Sequence, residues 1–329
     1  MALLDALRAR RRIAPHVRRT PLVDSAWLSD IAGVRVGLKL ESLQISNSFK
    51  SRGAFNAVLA RMERGHDAAA QLVTASAGNH GRALAGAAAA FGLPLSVFTP
   101  LNAPASKLDM IRRLGATLHA EARDYDEAER MAKAYAASTG AVFISPYSDE
   151  DIVAGAATIA LELFEDAPDL ETIVVPIGGG GLISGVAEAS KSINPACRVI
   201  GVEAAASCAF QTSLRAGHLV EIVPGPTLAD GLAGNPDPDT ITFGMIQRFV
   251  DDIATVTEDD ITQAIVGLVE SEHLIVEGAG AVGVAALLTG RALSRSGRMA
   301  VVLSGSNIDG VRLARLLAGR SEGKGSEAG

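Results

Sequence analysis

"TIVVPIGGGGLISGVAEASKSI", residues 172–193, is the stretch on which the fold turns. It opens with a near-continuous apolar run, as expected of a strand buried on both faces of a sheet. Four successive glycines, Gly178, Gly179, Gly180 and Gly181, end the run, and a helical pattern starting at Leu182 follows. Strand, tight turn and helix in immediate succession are the first half of a parallel crossover unit. Glycines at a helix start leave backbone N–H groups uncovered at the positive end of the helix dipole, which is a site for a dianion, most simply a phosphate. Four glycines cost conformational entropy, which a plain turn has no reason to bear. No GK[ST] follows, so this is not a P-loop, and it is not the dinucleotide fingerprint in its usual N-terminal place.

The same texture runs outward in both directions. "RVGLKLE", "AQLVTASAG", "PLSVFTP", "ATLHAEA", "AVFISP", "CRVIGVEA" and "MAVVLSGSN" read as strands. Helical stretches lie between them, among them "SFKSRGAFNAVLARMERG" and "DIVAGAATIALELFEDA". Such alternation predicts an α/β protein with two open parallel-sheet lobes and helices on both faces. The expected division is a large domain of residues 1–69 and 149–318, a small domain of 70–148, and a disordered, Gly-rich tail over 319–329.

Composition narrows the function. The 329 residues are 48% hydrophobic, 20% charged and 4% aromatic, so Ala, Val, Leu and Ile must fill the core. A net charge of −7 lacks the basic footprint of a nucleic-acid binder. No apolar run is long enough for a transmembrane helix, and no signal peptide is visible. "RARRRIAPHVRR" near the start reads either as an Arg-rich transit peptide or, more readily, as part of an amphipathic first helix with Leu3, Leu4, Leu7 and Ile13 on one side. Cys197 and Cys208 have no metal or disulfide spacing and predict a reducing, cytoplasmic setting.

In open parallel sheets ligands bind beyond the carboxyl ends of the strands. "SFKSRGA" (48–54), "SAGNHG" (76–81), the glycine loop and "LSGSN" (303–307) all fall there. Lys50 is a lone ammonium behind Phe49, placed either as an exposed helix start or for its chemistry. The SAGNHG amides suit a carboxylate. Asn79 serves equally as a ligand contact or a helix cap, and His80 reads more readily as a supporting residue than as a catalytic one. Ser304 offers a neutral hydroxyl. One lysine, a phosphate cradle, a carboxylate cradle and a hydroxyl together suggest pyridoxal 5'-phosphate, bound through the lysine amine.

The ordered set, with "RRTPL" (18–22), "TLADGLAG" (227–234) and "EGAGAVGVAAL" (277–287), resembles the fold type II (tryptophan synthase β-like) pyridoxal phosphate enzymes. The resemblance is to the threonine/serine ammonia-lyase (dehydratase) and serine racemase group, in its short form without a regulatory domain. It implies that Lys50 bonds the cofactor and moves the substrate α-proton. It further implies that Phe49 packs on the cofactor ring, Asn79 contacts the ring hydroxyl and Ser304 faces the ring nitrogen. Gly178, Gly179, Gly180, Gly181 and Leu182 would hold the phosphate. Ser76, Ala77, Gly78 and His80 would bind the substrate carboxylate, with Gly231 and Glu277 lining the site. The implied reaction is loss of water from L-threonine or L-serine, giving a 2-oxo acid and ammonia, in a homodimer or tetramer.

The sequence departs from that group in four places. Ala77 replaces the serine of racemases, which disfavours racemisation. Ala209 replaces an aspartate of a cation site that would include Glu203, so no metal is expected. Asn47 replaces a glycine, with a possible donor for a different substrate, and "AGAAT" (154–158) replaces "AGQGT". A 3-hydroxyaspartate substrate would call for an arginine near the site. Arg52, Arg82, Arg123 and Arg130 are the candidates.

Overall fold

A computed structural model describes residues 3–65, 70–294 and 296–319. The expected disordered tail lies outside the described residues from position 320 onward. The strands in chain order are β1 (Leu22–Asp24), β2 (Val36–Lys39), β3 (Leu72–Ala75), β4 (Leu95–Pro100), β5 (Thr117–Ala122), β6 (Val142–Phe143), β7 (Leu170–Pro176), β8 (Arg198–Ala204), β9 (Asp252–Val256) and β10 (Arg298–Val302). They form a six-stranded sheet of order β1-β2-β10-β7-β8-β9 and a four-stranded sheet of order β5-β4-β3-β6. Every pairing is parallel except that of β1 with β2.

β7 runs through the middle of the larger sheet between β10 and β8, and its central residues are buried. That is why the sequence gives it an unbroken apolar run. The helix Gly181–Ile193 follows at once. Other stretches differ from expectation. "AVFISP" is a strand only over Val142–Phe143; Ile144 N still donates to the Val73 carbonyl at 2.8 Å, and Ser145 then turns the chain by accepting from the amides of Tyr147 and Ser148. The first helix, Leu3–Ile13, buries Ala6, Ala9 and Ile13, whereas Leu4 is 53% exposed. The small alanines let it lie close against the protein, so the stripe the leucines suggested is rotated away. The region 209–256, where no periodic pattern stands out, holds helices Ala209–Ala216 and Thr242–Phe249 and the edge strand β9.

The helix that starts at Lys50 is fixed from two sides. Gly53 and Gly155 let it press against the helix Glu150–Asp166; a Cβ at Gly155 would sit 2.4 Å from the Arg52 carbonyl. Beneath it lies a buried ion network. Arg52 forks onto Glu41 (2.8 and 2.8 Å) and onto Glu162 (2.7 and 2.8 Å). Lys39 Nζ donates to Glu162 (2.5 Å) and to the Thr20 carbonyl (2.6 Å). Two cations face two carboxylates, all nearly solvent-free, and paired, hydrogen-bonded charge is the form in which burial is tolerated.

Candidate active site

The loops after β2, β7 and β10 and the loop after β3 meet in one cavity of about 350 Å³. Its wall includes Phe49, Lys50, Ser76, Ala77, Gly78, Asn79, His80, Gly179, Gly231, Glu277 and Ser304. Residues the motifs did not flag also line it: Asn102, Lys107, Tyr125, Pro146, Tyr147 and Asn235. They come from segments with no local signature, and only the packing of the two sheets brings them in.

Lys50 is the first residue of its helix. Its Nζ donates to the Pro146 carbonyl at 2.7 Å and stands 5.0 Å from the Phe49 ring centre. Burial lowers its pKa to about 8, because a desolvated ammonium loses more than a desolvated amine. The segment is tied to the β10 loop: Phe49 N donates to the Ser304 carbonyl at 3.0 Å, and Ser48 bridges to Gly305. Ser304 is buried, with only a long 3.4 Å contact from Oγ to the Ala279 carbonyl.

The glycine loop is built by steric exclusion. A Cβ on Gly179 would lie 2.3 Å from the Tyr147 ring, and one on Gly181 2.9 Å from the Tyr147 backbone. Gly180 has φ of 87°, the left-handed region that favours glycine. Gly178, Gly180, Gly181 and Leu182 are not on the cavity wall; they stand beside and behind Gly179, with Leu182 in the hydrophobic core. Thr242 Oγ1 donates to the Gly179 carbonyl at 2.9 Å and sets the loop. Gly180, the N-cap of the following helix, supplies no side-chain cap, so the first-turn N–H groups stay available.

A second uncapped helix start adjoins the same cavity. The helix Asn79–Ala90 has Gly78 as its N-cap and no side-chain cap bond. Asn79 is not a cap: its Nδ2 donates to Glu277 Oε1 at 2.6 Å, and its Oδ1 accepts from Asn307 Nδ2 at 2.6 Å. Burial raises Glu277 to about 7; the Asn79 bond opposes that rise. His80 is buried, and burial followed by the Lys50 charge pushes it down to about 3, against an opposing hydrogen bond to the Ile144 backbone, so its imidazole is neutral.

Asn47 is off the cavity wall and exposed. Its φ is 58°, so the position asks for a residue that tolerates left-handed backbone, which glycine and asparagine both do. The substitution is conformational and adds no donor to the cavity. Ala156 and Ala157 are buried between helices. Arg52 lies in the ion network, Arg123 pairs with Glu127 at the surface, and Arg130 borders a different cavity. Arg82 donates to Asn307 Oδ1 at 2.7 Å. Glu203 accepts from the amides of Phe210 and Gln211 (2.9 and 2.8 Å), and burial raises it to about 7. Among the described residues no group of three or more His, Cys, Asp or Glu could hold a metal, and no helix is long and apolar enough to cross a membrane.

The site fits a phosphorylated aldehyde: a desolvated amine beside a glycine-built, uncapped helix start, with a second uncapped helix start adjoining. The comparisons agree. A model of the pyridoxal-phosphate dependent enzymes matches residues 13–305, and the chain belongs to that family. An L-threonine ammonia-lyase of Thermotoga maritima is 43% identical over 94% of this chain and 76% of its own. An L-threo-3-hydroxyaspartate ammonia-lyase of Saccharomyces cerevisiae is 34% identical over 97% of each chain. The structure of maize serine racemase superposes with a TM-score of 0.89 at 34% identity, covering 98% of both chains. The fold is the fold type II architecture of these enzymes.

Proposed function

We propose that the protein is an ammonia-lyase that removes water from a small β-hydroxy-α-amino acid, L-threonine or L-serine, to give a 2-oxo acid and ammonia. The observation that carries this reading is the charge inventory of the cavity wall. Lys50 is its one cation without a carboxylate partner among the described residues, since Lys107 is paired with Asp230 at 2.8 Å. With Lys50 committed to the cofactor aldehyde, no cation of the described wall is left for a second carboxylate, which suits a substrate with an uncharged side chain and disfavours 3-hydroxyaspartate.

Pyridoxal phosphate, when bound, supplies an aldehyde for the amino group and a conjugated ring that draws electrons from Cα. The glycine loop and the start of helix Gly181–Ile193 would hold its phosphate, and Phe49, Asn79 and Ser304 its ring. The protein does the rest. With its pKa near 8, Lys50 has a neutral amine accessible close to physiological pH, ready to take a proton from Cα. Ser304 is neutral, so the ring nitrogen has no carboxylate to keep it protonated; this favours early departure of the β-hydroxyl over long retention of charge. The Ser76 and Gly78 amides donate to the Phe98 carbonyl and the Ser76 hydroxyl, so the uncapped start of the helix Asn79–Ala90 is what orients the substrate carboxylate. Ala77 offers no proton on the opposite face. That supports elimination over racemisation. The same reading carries a homodimer or tetramer in a cytoplasmic setting.

The test is release of 2-oxo acid from L-threonine, L-serine and the isomers of 3-hydroxyaspartate, beside a chiral assay for D-serine. Highest kcat/KM on threonine or serine is expected. A preference for hydroxyaspartate, or D-serine formed faster than oxo acid, would overturn the reading. Lys50→Ala is expected to abolish turnover and covalent cofactor retention.

A further inference from the structure

Asn79 has an amide that reads differently in its two orientations, and nothing in its own sequence context fixes which way it points. A chain of hydrogen bonds running through the β10 loop does. Arg82 Nη1 donates to Asn307 Oδ1 at 2.7 Å. A guanidinium has no acceptor, so the Asn307 oxygen must face Arg82 and its amide nitrogen must face away. That nitrogen donates to Asn79 Oδ1 at 2.6 Å and to the Ser46 carbonyl at 3.0 Å. Asn79 Oδ1 is thereby held toward Asn307, and its Nδ2 toward Glu277 and the cavity, at 2.6 Å from Glu277 Oε1. Asn47 Nδ2 approaches the same Asn307 oxygen at 3.4 Å, in the same sense.

We propose that Asn307 and Arg82 are positioning residues: Arg82 sets the direction of the Asn307 amide, which sets that of Asn79, so that Asn79 presents an N–H donor to the cofactor ring hydroxyl. The proposal rests on the reading above that Asn79 meets the cofactor. The Glu277 end of the chain cannot fix the direction alone. Burial brings Glu277 to about 7, so near neutral pH it is partly protonated and then offers Asn79 a donor. Asp230 pushes Glu277 up; Asn79, Lys107 and the Asn307 backbone amide pull it down. Lys50 and His80 share the cavity wall with it. Arg82 stays charged throughout and keeps the direction.

Asn307→Asp is the decisive variant. It keeps the volume and gives Arg82 a stronger partner, yet removes the donor that holds Asn79 Oδ1. Loss of one hydrogen bond of this kind is worth roughly a tenfold change in an equilibrium constant. The expected result is roughly tenfold weaker binding of pyridoxal phosphate, measured by fluorescence titration of the cofactor-free protein, together with a changed absorbance spectrum of the bound cofactor. Arg82→Met is expected to shift the spectrum with pH between about 6 and 8, where a flat profile is expected of the unaltered protein, while Arg82→Lys, still an obligate donor, is expected to restore that flat profile. Thermal melts of each cofactor-free variant confirm folding, and Arg82→Met, at the part-exposed end of the chain, carries the test where Asn307→Asp does not fold. Wild-type affinity, spectrum and pH profile in the folded variants would overturn the proposal. Asn79→Ala separates the two layers. If it leaves cofactor binding and spectrum unchanged, the underlying contact is wrong; if it alters them while the Arg82 and Asn307 variants do not, only the positioning role falls.

Discussion

Replacing Arg52 with methionine tests the buried ion network under the Lys50 helix. Arg52 is 1% exposed and makes two forked pairs, so methionine leaves Glu41 and Glu162 to share Lys39 alone. Breaking a buried pair from one side typically costs about 3–5 kcal/mol, because the remaining charge is left uncompensated. For a chain of 329 residues the unfolding entropy is roughly 0.7 kcal/mol per degree, so a loss of about 4 kcal/mol lowers Tm by about 6 °C. Differential scanning calorimetry of the cofactor-free protein reads this directly. The pH dependence has a definite sign. Burial alone would raise Glu162, but the hydrogen bonds and charge of Arg52, with those of Lys39, hold it below its usual value. Its pairing therefore stabilises the folded state above the ordinary carboxylate range and is lost as pH falls through the lowered value. In Arg52→Met the glutamate takes up a proton earlier, so the gap from wild type should narrow between pH 7 and pH 4. Arg52→Met/Glu162→Gln should recover part of the loss, which a double-mutant cycle measures. A drop below about 1 °C, or a gap that does not change with pH, would refute the account of the network as charge-balanced.

Gly179→Ala places a methyl 2.3 Å from the Tyr147 ring, whose hydroxyl is held by the Asp237 amide at 2.9 Å; a loss of about 1–3 kcal/mol and much weaker cofactor binding are expected. Melts with and without pyridoxal phosphate check both, and unchanged affinity would count against the cradle. Glu277→Gln removes a carboxyl whose pKa rises from 4.5 to about 7 on burial. Because the folded value is the higher one, wild type should lose stability relative to the variant as pH climbs from 4.5 to 7, by on the order of 3 kcal/mol. Urea unfolding of the cofactor-free forms across that range tests it, and a constant difference would contradict the burial argument.

Much of this molecule is legible in the chain. Apolar runs that end in glycine or serine mark β7, β10 and β3 as buried parallel strands, since such strands touch helices on both faces and carry no polar side. The carboxyl ends of β2, β7 and β10 put Lys50, Gly179 and Ser304 in one place by topology, while Ser76, after β3 of the smaller sheet, joins them through the packing of the two sheets. Where function rests on backbone spacing, as in the glycine loop, local sequence is enough. What the chain does not reveal is direction and partnership. Asn307 closes the LSGSN motif with nothing local to say which way its amide points, and Arg52 looks like any arginine on a helix. Asn47 suggested a new substrate contact, yet its backbone angle gives the reason for it. Those roles depend on groups far apart in sequence: Asn79 with Glu277, Arg82 with Asn307, Arg52 with Glu162. A hydrogen bond or buried ion pair has meaning only once both ends are placed within about 3 Å and water is excluded. Periodicity and turn chemistry determined the scaffold and the list of reactive groups; only the packing of the two sheets against each other decided which of those groups are paired, which are free, and which way they point.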